Sequence, residues 1–178
     1  MTENAAEIVA QAVRAYRSGD DEGAWLVFEG LRRQIALEPE AGLAAAKPYV
    51  TSESANERGA AALIIGYLVS LQLRDAGAES AELLLGQLAI EPDASAREDL
   101  ATGLGHIWNA CDGRGTALMR ASDPNPNVRY AAAKNLSFTT TDRPGDADAR
   151  AALEILRDDP DAEVRSWAEL GFETLSLD

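Results

Sequence analysis

The chain has 178 residues, 46% hydrophobic but only 6% aromatic, and Ala and Leu supply most of the apolar fraction. Both lead the helix-propensity scale and β-branched residues are sparse, so the composition favours helices. The 16 basic and 30 acidic side chains leave a net charge of −14, spread along the whole sequence, which repels phosphate backbones and anionic lipid.

Taken in chain order, two helices are expected over about residues 5–17 and 21–36. In the second, Trp25, Phe28, Leu31 and Ile35 recur at helical spacing and form one face. Four shorter helices follow at roughly 40–47, 79–90, 116–121 and 147–157, with Leu83, Leu84, Leu88, Leu153 and Leu156 supplying apolar faces. Each precedes a longer helix. The segments Asp112-Gly113-Arg114-Gly115 and 139–145 read as a turn and a long loop. The most apolar stretch, 60–73, is broken by Ser70 and Gln72 and is too short for a bilayer core of roughly 30 Å. Cys111 is the single cysteine, and no basic-then-apolar leader opens the sequence, so a cytoplasmic location is expected.

The longer helices share a motif. Asp159-Pro160-Asp161-Ala162-Glu163-Val164-Arg165 repeats the pattern of Asp123-Pro124-Asn125-Pro126-Asn127-Val128-Arg129, an acid-Pro pair followed by Val-Arg. An Ala stands three residues after each Arg, and Leu136 and Phe172 stand seven after. A third copy runs from Glu91-Pro92 to Arg97, with Leu100 and Leu104 in the apolar slots. A degraded fourth surrounds Arg58, with Ser52 in the acid's place. The arginines are separated by 39, 32 and 36 residues, spacings that belong to helical solenoids. An acid at or near the N-cap and a Pro in the first turn are both compatible with a helix start, so each motif is expected to open a helix.

These residues resemble HEAT repeats, including the short variety of the phycobilin lyases, over about residues 40–178. The resemblance implies an all-α fold: a right-handed α-solenoid of about four helix pairs (39–75, 78–110, 112–138 and 146–177 within one domain spanning 39–178), behind an N-terminal capping pair at 1–38. It also implies a ladder of charges between neighbouring pairs, with Glu91, Asp123 and Asp159 as acids and Arg97, Arg129 and Arg165 as bases. Ser52 leaves the first rung without its acid. The fold hosts many functions, so activity must be argued from a site.

A catalytic set is hard to assemble. His106 and Cys111 are the only residues of their types and stand five apart on one expected helix, whereas a zinc site recruits three or four ligands. The His-Glu pairs of the HEAT-type hydroxylases are missing, and no cofactor is expected. HEAT-type DNA glycosylases line a groove with cations and aromatics. Trp108 and Trp167 are present here, but the cations are few, and a nucleic-acid reading would need a basic strip from Arg14, Arg17, Arg32 and Arg33. A bilin-lyase-like activity would call for a deep apolar pocket beside the N-terminal pair.

The expectation is therefore a non-catalytic module binding a protein partner, one that is basic by charge preference: a scaffold, regulator or immunity-like inhibitor. Aligning the helices on Arg gives rows one residue after it (Gly59, Glu98, Tyr130, Ser166), five after (Leu63, Thr102, Lys134, Leu170) and nine after (Tyr67, His106, Phe138, Thr174). The first two rows are expected on the concave face. Tyr67, His106, Tyr130, Lys134 and Phe138 are the candidate contact residues. The bland alternative is that the ring-rich third row only packs repeat against repeat.

Overall fold

A computed structural model describes residues 4–16, 22–111, 113–142 and 146–174, with the side chains at 22, 113–116 and 139–142 outside that description. All of the regular structure among these residues is helical: α1 (Ala5–Ala15), α2 (Glu22–Ile35), α3 (Pro39–Ala46), α4 (Ala55–Leu71), α5 (Gly77–Ile90), α6 (Ala94–Ala110), α7 (Gly113–Arg120), α8 (Pro126–Asp142), α9 (Ala147–Leu156) and α10 (Ala162–Thr174). Short 3-10 turns at Lys47–Thr51 and Arg74–Ala76 join α3 to α4 and α4 to α5. No helix among the described residues is long and apolar enough to cross a membrane.

The chain folds as two compact units, Met1–Cys111 and Asp112–Asp178. In the first, α4 packs along α6, α5 covers α6, and α1 packs on α2, α3 and α4. In the second, α8 packs along α10, with α7 against α8 and α9 against both. Ile64, Ile65, Leu68, Leu84, Leu88, Leu100, Leu104 and Ile107 are fully buried in the first unit, and Leu136 and Leu153 in the second. Each such side chain contributes roughly 1.5–3 kcal/mol on burial.

Helix starts explain how the motif works. The motif acid stands near the N-cap, and the cap itself is the residue two further on. Asp93 caps α6, accepting from the N–H of Ala96 at 2.9 Å, and Asp161 accepts from the N–H of Val164 at 3.2 Å at the start of α10. The acid stands two residues earlier and accepts the N–H of the capping residue: Glu91 from Asp93 (3.1 Å), Asp123 from Asn125 (2.9 Å) and Asp159 from Asp161 (2.9 Å). Pro92 and Pro160 thus lie in the loop, while Pro126 opens α8, where its missing N–H costs nothing.

Two loop expectations are corrected. The segment expected as a loop from Thr139 is helical to Asp142, which gives α8 the 17-residue length of α4 and α6; the weak helix propensity of three Thr is overridden by the helix that α8 continues. Residues 143–145 lie outside the described residues. Gly113 and Gly115, expected in a turn, belong to α7.

Candidate partner interface

Two of the motif arginines, Arg58 and Arg129, are each held in two ways. Arg58 Nη1 donates to the carbonyls of Ser52 (2.8 Å) and Glu53 (3.0 Å), while its Nε and Nη2 grip the Glu91 carboxylate, each at 2.5 Å. Arg129 repeats this: Nη1 donates to the carbonyls of Asp123 (2.9 Å) and Pro124 (3.1 Å), and Nε and Nη2 to Asp159 at 2.6 and 2.9 Å. An arginine therefore pairs with the acid of the next motif, and it takes only the backbone oxygen of the acid six residues before it. Ser52 has a carbonyl like any residue, so the degraded first motif still makes a complete rung. Arg97 Nη1 likewise donates to the Pro92 carbonyl at 2.9 Å.

Burial makes these pairs strong. The Glu91 side chain is fully buried and also accepts from Gln87 Nε2 at 3.0 Å. Desolvation pushes the Glu91 carboxyl up, but the hydrogen bonds from Arg58, Gln87 and the Asp93 N–H outweigh it and hold the group below its ordinary value. Asp159 is held low chiefly by its bond to Arg129. Both carboxylates stay ionised and neutralised inside the fold.

The same register governs the approach of the long helices. A Cβ on Gly103 of α6 would lie 2.4 Å from the Ala62 carbonyl oxygen, and one on Gly66 would lie 2.6 Å from the Gly103 oxygen. In the second unit, a Cβ on Gly171 would lie 2.7 Å from Ser137 Cβ. Gly103 and Gly171 both stand six residues after their arginines, and Gly66 and Ser137 both eight after, so the two units repeat one crossing. This small-residue row is visible in the sequence once the helices are aligned on Arg.

That crossing corrects the placing of the first two rows. Gly59 packs against Asp99 of α6, Leu63 is buried, and Tyr130 and Lys134 are buried with Trp167 of α10. Lys134 Nζ lies 5.2 Å from the Trp167 ring centroid, and the Tyr130 ring meets Trp167 edge-on at 6.5 Å. On α4 and α8 these rows face the following long helix. Phe138 is 55% exposed and leans on Trp167 with ring centroids 5.6 Å apart.

In the first unit, Arg32 of α2 reaches the third row. The Arg32 guanidinium lies 4.2 Å over the Tyr67 ring and is paired with Glu29. His106 is exposed at one edge; partial desolvation, then the Arg32 charge, hold its imidazole below the ordinary value. With Arg32 turned inward, a basic strip through Arg14, Arg32 and Arg33 is broken; Arg17 lies outside the described residues.

The N-terminal pair is fixed to the repeats by a contact invisible in the sequence. Tyr16, at the end of α1, donates its hydroxyl to Asp99 of α6 at 2.8 Å, and its ring packs on Phe28 (4.8 Å) and Trp25 (6.4 Å) of α2. Burial, then the Asp99 charge, raise the Tyr16 phenol far above its ordinary value, so it stays a donor. A cleft of about 420 Å³ lies at the α4–α5 connection, lined by Glu40 and residues 71–76; it is open, and its wall mixes polar and apolar groups. Trp108 is buried in the core, and Cys111 Sγ faces the Arg74 carbonyl at 3.5 Å.

Helix pairs with a recurring loop-and-arginine rung, long helices crossing at one register, and no β-structure among the described residues define an α-helical repeat protein. A family model for HEAT repeats matches residues 81–173, just over half of the chain. The chain belongs to the HEAT-repeat family. No curated protein matches it.

Proposed function

We propose that this protein is a non-catalytic binding module whose acidic surface captures a basic protein partner in the cytoplasm, as a scaffold, regulator or immunity-like inhibitor. The observation that carries this reading is where the cations go. Arg58 and Arg129 are locked to buried acids, Lys134 is buried on Trp167, Arg32 is paired under Tyr67, and Arg157, Lys47 and Arg120 each hold a carboxylate. Acids such as Glu40, Glu53, Asp75, Glu154, Asp158 and Glu173 stand in solvent. Both units share the excess, with 8 basic and 17 acidic residues in the first and 8 and 13 in the second.

Such a field speeds the arrival of a cationic partner and repels nucleic acid. Repeat solenoids recognise partners on extended rows of this kind. The N-terminal α1–α2 pair, on this reading, closes one side of the stack, and Phe138 with Trp167 supplies an aromatic anchor in the second unit. Capture from native lysate at about 50 mM and about 500 mM salt tests the proposal. A basic protein retained at low salt and released at high salt supports it; binding indifferent to salt, or recovery of no basic protein, counts against it.

A further inference from the structure

Arg58 and Arg129 obey one rule: Nη1 is held by two carbonyls of the preceding loop, and the Nε–Nη2 edge grips a carboxylate of the next one. Arg165 is held identically, with Nη1 donating to the carbonyls of Asp159 at 2.7 Å and Pro160 at 3.0 Å. Its Nε–Nη2 edge meets no acceptor among the described residues, and the side chain is exposed. Two fixed bonds thus hold a planar fork of the shape that takes a carboxylate.

The rest of that face departs from the pattern in an informative way. Leu170 stands five after the arginine, where Leu63 is buried, yet it is 51% exposed. Glu169 and Glu173 stand four and eight after. In α4 those places hold Ala62 and Gly66, and in α8 Ala133 and Ser137, small enough for the next helix to touch. Glu169, which also pairs with Arg157 at 3.1 Å, and Glu173 thus put bulk and acidic charge where the long helices of this chain carry small residues against their neighbour. A second copy offering α6, α8 or α10 would also bring Gly103, Asn135 or Gly171 to that place, none of them a cation.

We propose that this face of α10 docks a helix of a different protein. An Asp or Glu in the loop before that helix takes the Arg165 fork, an apolar side chain covers Leu170, and a Lys or Arg two turns on sits between Glu169 and Glu173. The proposal deepens the reading of the chain as a module for basic partners and rests on it, adding one required carboxylate and its receptor.

The test uses the full-length ¹⁵N-labelled chain and a synthetic, end-blocked peptide copying residues 159–174 with Gly171→Lys, so that an acid-Pro loop and a lysine meet α10 in register. The Arg165 Nε–Hε resonance is expected to move saturably. A peptide that also carries Asp159→Asn is expected to bind about tenfold weaker, as loss of a charge-assisted bidentate pair requires. The Glu169→Gln/Glu173→Gln chain should bind the lysine peptide at least about threefold weaker at low salt. An unmoved Arg165 signal, equal binding of both peptides, or equal movement of the Arg58 and Arg129 signals overturns the proposal. Movement that tracks protein concentration without peptide identifies a second copy as the occupant and overturns it as well. Failure here leaves salt-sensitive capture of a basic protein intact, and failure of that capture alone removes the broader reading.

Discussion

Replacing Glu91 by Ala is the sharpest perturbation of the repeat stack. The Glu91 side chain is fully buried and Arg58 is 9% exposed, so the substitution strips a desolvated guanidinium of its counterion. Two donors, Arg58 Nε and Nη2, lose their acceptor while Nη1 stays tied to Ser52 and Glu53; Gln87 and the Asp93 N–H each lose an acceptor too. Breaking a buried pair from one side costs about 3–5 kcal/mol, a large share of the roughly 5–15 kcal/mol that holds a domain folded. The assay is urea unfolding followed by Trp fluorescence, with the loss read from the midpoint at unchanged m-value. Glu79→Ala, which breaks the exposed Lys47 pair, serves as the reference and should cost no more than about 1 kcal/mol. Arg58→Met with Glu91→Leu should recover most of the loss, because apolar groups fill the site without a stranded charge. A cost at or below about 1 kcal/mol for Glu91→Ala refutes the buried-rung argument.

Other perturbations read the remaining features. Gly103→Ala places a Cβ against the Ala62 backbone and should cost about 1–3 kcal/mol, whereas Gly86→Ala, with open space around it, should be neutral or stabilising; urea midpoints compare the two. Tyr16→Phe deprives the buried Asp99 of the phenol and should lower stability by about 1–3 kcal/mol, with faster hydrogen exchange in α1. Acid should weaken the fold through both rungs. Glu91 and Asp159 have folded values below their unfolded ones near about 4, so the unfolded chain binds protons first; their contribution is whole above that value and fades as pH falls through the folded values. Unfolding free energy measured between about pH 5 and pH 2 should flatten in Glu91→Gln relative to the parent. His106, also held low, should add a smaller loss as pH drops through the ordinary imidazole value near about 6.5, which His106→Gln should remove.

The repeat architecture was legible because the motif residues do local work that any copy must do: an acid to accept the capping N–H, an arginine to bind the loop carbonyls, and Ala and Leu to face inward. The pairing of the rungs was not. Asp159 lies six residues before Arg165 and 30 after Arg129, and a linear pattern carries no preference between these partners; only the crossing of α8 and α10 decides it. On α4 and α8 the first two rows turn inward for a related reason. A long helix between two neighbours is covered on more than one side, so Tyr130 and Lys134 turn to Trp167 rather than to solvent. The Tyr16–Asp99 contact joins residues 83 apart with no periodic signal, and no spacing rule reaches it.

The central claim is that charge selects the partner. Its most direct measurement is the association rate of the partner recovered at low salt, followed across ionic strength for the parent chain and for a variant with Glu40, Glu53, Asp75, Glu154 and Asp158 changed to their amides. An association rate that falls steeply with salt in the parent, starts lower in the variant and depends less on salt there is the predicted result. A rate that ignores both salt and the five substitutions contradicts the account.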